Sequence, residues 1–317
     1  MLRPVLLSVL SLVLASPAVA QQPAAEVDLG SPVVEELEVV AKLPGPALWR
    51  ARGEGAEVII LGGVTPLPHS LVWDTSRVEQ ALDGARQLLI PPRPKVGVFD
   101  GLGLLLGGTG RFKDKETLEA ELGEPLRARF AAARTAARKE PSRYEKWKPQ
   151  VAGFLLVNDF RDAAGLSSAK PASTLTKLAK AKGVPVRSVG DFRLVPLAKE
   201  AAKLDKAASV ACLQDAVSQV EIEARDAQAL AAAWAEGDLR GVRAHYGPPA
   251  LERCVQQAAS VNALIENRTE QGVQAILGAL SQGGKTVAVV DLNYLLRPNG
   301  VLDRLKARGV AIDVPRG

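Results

Sequence analysis

The sequence predicts an α/β domain whose mixed central sheet is built from the N- and C-terminal segments, with a helix-rich insertion at about residues 110–260. Three observations predict it. Short aliphatic runs bounded by Gly or Pro lie in the first third, similar runs return in the last third, and apolar residues recur at helical spacing between them.

Glu57 to Leu61 is β-branched and stops at Gly62-Gly63, the pattern of a buried strand ending at a bend. Ser76 to Arg86 follows with Val78, Ala81, Leu82 and Ala85 on one helical face, and Leu88 to Ile90 is a second strand stopped by Pro91-Pro92. Strand, helix, strand in that order predicts a parallel pair. Glu116 to Arg138 reads as one amphipathic helix, with Leu122, Leu126, Phe130, Ala133 and Ala137 inward and Arg127, Arg134 and Arg138 outward. Further helices are predicted over Ser173–Lys182, across Lys199–Trp234 and, with interruptions, over Pro249–Gln282, and a strand over Val184–Val189. Thr286–Leu292 and Val310–Val314 are the closing strands, with a short helix over Val301–Arg308 between them.

Composition bounds the function. The chain has 317 residues, 47% hydrophobic and 24% charged, which excludes disorder over its whole length. Aromatic residues are only 4%, so the core is aliphatic. Forty basic residues against 35 acidic, with the signs interspersed, give no footprint for nucleic acid. Two histidines and two cysteines make the usual zinc ligand sets hard to assemble.

Residues 1–20 read as a signal peptide: Arg3 supplies the positive region, residues 4–15 an apolar run too short to span a bilayer, and Ala18-Val19-Ala20 the cleavage site. Cleavage near Ala20 leaves a Pro-, Gly- and acid-containing flexible leader over 21–44 and a domain over 45–317, destined for the periplasm or the cell exterior. There Cys212 and Cys254 either pair with each other or stay free; a bridge would stabilise the fold by about 4 kcal/mol.

A search for catalytic motifs mostly fails. His-Glu-x-x-His, Gly-x-Ser-x-Gly and the phosphate-loop lysine motif are all missing, and the glycine cluster from Gly101 to Gly110 reads as a loop. Asn267-Arg268-Thr269 has the form of a glycosylation sequon, which matters only in a eukaryotic secretory pathway.

The strings Pro46–Arg50, Val58–Pro68, Leu71–Trp73 and Leu264–Arg308 together resemble the TraB/GumN family, which includes PrgY and Tiki proteins. The resemblance implies a metal-dependent peptidase whose strand-end histidines and carboxylates hold a divalent ion that polarises water. The family's first pattern, a strand followed by G-T-x-H-x-L-P, falls on Gly62 to Pro68, with Thr65 in place of the histidine. Its later G-x-x-H falls on Val290 to Asn293, so Asn293 replaces the second histidine. Pro91 and Gly190 stand where glutamates are expected, and the family's Arg-Asn pair becomes Glu266-Asn267, with Arg268 beside it. Thr65 and Asn293 offer neutral oxygens, which cannot replace imidazole nitrogen as a transition-metal ligand or a general base. What stays well matched, including Trp49, Leu67, Pro68, Trp73 and Trp234, is scaffold.

The expectation is therefore a TraB/GumN-like pseudoenzyme with no cofactor, binding a protein or small ligand of the cell envelope in the former cleft. Its candidate lining is Gly62, Gly63, Thr65, Asp291, Asn293, Asn267 and Arg268. The alternative is a hydrolase with an atypical set such as His69, Asp74, Asp100 and Asp291, the one reading that calls for a divalent metal. A third reading has a basic helix from Arg127 to Lys148 making weak contact with an anionic surface.

Overall fold

The computed structural model describes residues 45–95, 110–193, 202–250, 254 and 259–315. The proposed signal peptide, the leader, Asp100 and the glycine cluster up to Gly108 lie outside the described residues.

The chain enters the sheet through a hairpin. Strands β1 (Leu48–Gly53) and β2 (Ala56–Gly63) pair antiparallel from Gly53↔Ala56 to Leu48↔Leu61, turning through Glu54-Gly55. Gly55 sits at φ +63°, a conformation that costs glycine nothing. Along β1 the residues alternate: Trp49 and Ala51 are buried, while Arg50 and Arg52 face out to pair with Glu57 and Asp313. In β2 every residue from Val58 to Leu61 is buried, so helices cover both faces of this strand.

After the two-residue strand β3 (Leu67–Pro68) come helix α1 (Ser76–Leu82), strand β4 (Gln87–Ile90) and strand β5 (Arg93–Lys95). The insertion contains helices α2 (Leu126–Ala136) and α3 (Pro149–Ala163) and strand β6 (Leu166–Ser167). Helix α4 (Ala172–Ala181) leads to strands β7 (Val186–Ser188) and β8 (Asp191–Arg193), and α5 (Lys206–Ala235) is the longest helix described. Helices α6 (Leu239–His245) and α7 (Ala259–Ser281), strand β9 (Gly284–Asp291), helices α8 (Leu292–Leu296) and α9 (Val301–Ala307), and strand β10 (Ala311–Asp313) complete the order.

The main sheet has six strands in the order β10-β1-β2-β9-β4-β7. This corrects the expected pairing of Glu57–Leu61 with Leu88–Ile90. Both run parallel in one sheet, but β9 lies between them and pairs with each. Local strand-helix-strand order fixes direction and cannot reveal a strand supplied from far along the chain.

A second correction concerns Glu116–Arg138, which is not one helix. A 3-10 turn over Leu118–Glu121 ends before Gly123, and α2 starts only after Pro125, whose missing N–H and preceding glycine break the ladder. The inward row is nonetheless right: Leu122, Leu126, Phe130, Ala133 and Ala137 are all buried. The proposed basic helix to Lys148 is likewise interrupted, at Arg138 (φ +53°) and by a 3-10 turn over Pro141–Arg143. Three of its arginines are engaged within the chain: Arg127 donates to the Leu122 and Glu119 carbonyls, Arg134 lies 3.4 Å from Glu119, and Arg129 pairs with Glu221 at 2.7 Å. Helix α3, rich in Ala, Leu and Val, was not anticipated as a separate element.

Two cores result. One surrounds the sheet and includes Trp49, Ile60, Leu82 and Trp234; the other fills the insertion, with Phe130, Tyr144, Leu156 and Val217. Trp73 and Trp234 meet edge to face at 5.1 Å, and the Trp234 Nε1–H donates to the Gly62 carbonyl at 2.8 Å. Helices α3 and α5 approach closely at Gly153, where a Cβ would lie 2.8 Å from that of Ala216. Cys212 on α5 is disulfide-bonded to Cys254, with Cα atoms 4.6 Å apart.

Candidate functional site

Register builds the site. In the parallel pair β2 and β9, Gly63 lies opposite Asp291. Thr65 and Asn293 each stand two residues beyond that pair, so both emerge at the C-terminal ends of these neighbouring strands and line one cavity of about 340 Å³. Asp291 lines it as well.

Tyr246, just after α6, closes the space between these positions. Its hydroxyl donates to Asp291 Oδ2 at 3.0 Å and also meets Thr65. Asp291 Oδ1 accepts the Asn293 backbone N–H at 2.9 Å and so caps α8, and the Asn293 amide reaches the Gly247 carbonyl at 3.4 Å. Burial pushes the Asp291 carboxyl above the usual range, against the opposing pull of the Asn293 N–H, the Tyr246 hydroxyl and Arg297. Burial, with Asp291 alongside, likewise drives the Tyr246 phenol well above its ordinary value.

The raised carboxyl makes a pH prediction. A group whose folded pKa exceeds its unfolded value favours the fold while protonated, and that stability is lost as pH rises through the folded pKa. Asp291→Asn removes this loss while keeping a capping oxygen. Relative to the parent chain, the variant is therefore expected to gain stability as pH rises from the ordinary carboxylate range through the raised folded value, read as the difference in urea midpoints; no relative gain would refute the assignment.

The far wall comes from the insertion. Glu223 and Asp226, one turn apart on α5, are both buried. Arg161 of α3 grips Glu223 with two nitrogens at 2.5 and 2.9 Å, and Gln219 donates to the same carboxylate at 2.8 Å. Gln219 also accepts the Ala250 N–H at 2.6 Å. Asp226 takes Arg225 at 2.7 Å and lies 3.4 Å from His245 Nδ1; the Arg225 hydrogen bonds hold its carboxyl below the usual range. Sequence reasoning missed Arg161, Gln219, Glu223 and Tyr246. A partial signal for Tyr246 was present in His245-Tyr246-Gly247-Pro248-Pro249, a rigid stop after a helix.

The remaining positions separate. Pro91 and Gly63 line a second cavity of about 700 Å³ that shares Thr65, Asp291 and Tyr294 with the first. Gly190 packs against Gln271, whose Oε1 would lie 2.5 Å from an added Cβ, so a glutamate there would require Gln271 to move. Gly62 is buried under Trp49 and Leu292 and lines neither cavity. Asn267 is exposed and apart from both, whereas Arg268 lines the second and stacks on Phe192 at 4.1 Å. His69 is an exposed turn residue whose N–H meets the Gly165 carbonyl, and Asp74 binds Ser76 at the start of α1. Neither lines either of these two cavities with Asp291, and Asp100, the fourth member of the atypical hydrolase set, lies outside the described residues.

The donors at the strand ends do not suit a divalent transition metal. They are a hydroxyl, a carboxamide and one carboxylate already holding two hydrogen bonds. Among the described residues no group of three or more His, Cys, Asp or Glu is placed to hold an ion.

The profile of the TraB/PrgY/gumN family matches residues 47–314. No curated protein and no solved structure matches the chain.

Proposed function

This chain belongs to the TraB/PrgY/gumN family, and from that premise we propose that it is an exported member that binds a ligand or partner at its strand ends without metal-dependent hydrolysis. The observation that carries this reading is the Tyr246 hydroxyl, bonded to Asp291 at 3.0 Å and against Thr65, where the resemblance calls for an ion between two imidazoles. A phenol driven further from ionisation by its surroundings is a poor ligand, and a threonine hydroxyl is no general base. Export follows from the sequence of residues 1–20, and fold alone does not fix which ligand is bound.

Elemental analysis tests it. The mature chain, purified without a metal-affinity step and exposed to manganese, cobalt and zinc, is expected to retain far less than one ion per chain and to show no turnover on peptide and ester panels. Restoring imidazoles by Thr65→His with Asn293→His is expected to give weak metal binding at best, because Pro91 and Gly190 still supply no carboxylate. A stoichiometric ion in the parent chain, with turnover abolished by a chelator, would overturn the reading.

A further inference from the structure

The second cavity has a lining divided by chemistry. Its aliphatic lining comes from the ends of β4 and β9 and the residue after β7 (Leu89, Ile90, Val289, Val189), with Ile276 of α7 and Val301 of α9. Five cationic side chains also line it: Arg93, Lys170, Lys177, Lys180 and Arg268. Asp291 is the one carboxylate in that lining.

The cations come from β5, the approach to α4, α4 itself and α7, and among the described residues no carboxylate forms an ion pair with any of them. Lys170 is fixed by backbone carbonyls, those of His69 at 2.5 Å and of Pro68 and Leu71 at 3.3 Å, so its position is set while its charge stays uncompensated. Lys177 and Lys180 lie one turn apart on α4, exposed. Arg268 holds its guanidinium over the Phe192 ring, and its Nε is buried without a hydrogen-bond partner among the described residues. A buried donor left unsatisfied is costly and points to a group that completes it.

We propose that this cavity binds a single-chain anionic amphiphile, its carboxylate or phosphate head at Arg268, Lys177 and Lys180 and its hydrocarbon tail on the aliphatic lining. The proposal rests on the ligand-binding reading above and names the ligand class. A bare inorganic anion would leave the aliphatic lining wet, and a neutral amphiphile would leave the buried Arg268 donor unmatched. About 700 Å³ falls within the usual range for small-molecule sites.

Calorimetric titration of the mature chain, with every probe below its micelle concentration, tests it. The probes are octyl phosphate, decyl phosphate, decanoate, decyl maltoside and inorganic phosphate. Decyl phosphate or decanoate is expected to bind at least about tenfold more tightly than decyl maltoside or phosphate, and decyl phosphate about tenfold more tightly than octyl phosphate, from two more buried methylenes. The stronger of the two anions identifies the head group. Lys177→Glu with Lys180→Glu is expected to weaken the anion at least about tenfold with only a small fall in the thermal midpoint, since both side chains are exposed and only the favourable place of Lys180 in the last turn of α4 is lost; Arg268→Gln, a second route, is expected to do the same to binding. Equal binding of decyl maltoside, no binding of either anion, or charge reversal without effect would overturn the proposal. Amphiphile binding in a chain that also carries a stoichiometric metal would sink the metal-free reading alone; a metal-free chain that ignores amphiphiles would sink this one alone.

Discussion

Arg161→Ala is expected to destabilise the fold by about 3–5 kcal/mol, the cost of leaving a buried carboxylate without its cation. The Glu223 side chain is only 5% exposed and Arg161 22%, so water entering from the cavity they line replaces the lost guanidinium only in part. Gln219 would remain as one neutral donor to Glu223. The pair also joins α3 to α5, so its removal loosens the wall of the first cavity at Gln219 and, through it, the Ala250 N–H. Arg161→Met with Glu223→Met removes both charges and is expected to recover much of the loss, since apolar replacement of a whole buried pair is often neutral. Urea denaturation of the parent and the two variants checks this; an Arg161→Ala chain that unfolds with the parent would show that the pair holds nothing together.

Opening the Cys212–Cys254 bridge is expected to cost about 4 kcal/mol in the chain-entropy model, because the crosslink spans 42 residues of the unfolded chain. That span contains most of α5, all of α6, and the His245–Pro249 segment that lines the first cavity. The Cys212→Ser, Cys254→Ser double variant is the clean form of the test. Oxidised parent, reduced parent and double variant are compared by denaturant midpoint, with the oxidised parent alone expected to be more stable. Coincident midpoints would show that the bridge contributes nothing. The two thiols illustrate how far the sequence reaches: composition and compartment leave pairing and freedom both open, and only the approach of α5 to residue 254 chooses between them.

The same boundary runs through the fold and the site. The strands at Glu57–Leu61, Leu88–Ile90 and Thr286–Leu292 were legible because a strand buried on both faces is written as an unbroken aliphatic run. Strand β1 was not, because Trp49 and Ala51 alternate with Arg50 and Arg52 and the arginines hide the pattern. The order of strands was also hidden, since nothing local to β2 or β4 records that β9 separates them. At the site, Thr65, Asp291 and Asn293 were legible as a group through the resemblance, and parallel register brings them to the same end of two neighbouring strands. Tyr246, Arg161 and Glu223 were not, because each comes from an element whose placement depends on packing between α3, α5 and the sheet. An isolated tyrosine or a helical glutamate carries no mark of the partner it will meet.

The central position of β9 also bears on how the molecule is completed. Until residues 284–291 are in place, β2 has only β1 beside it and β4 only β7, so the aliphatic rows of Val58–Leu61 and Leu88–Ile90 face no neighbour on their inner edges. Such unpaired margins are where chains adhere to one another. A polypeptide stopped short of Gly284 would therefore hold two sticky half-ribbons and depend on a chaperone's shelter, while the insertion, with its own apolar centre, could already be packed.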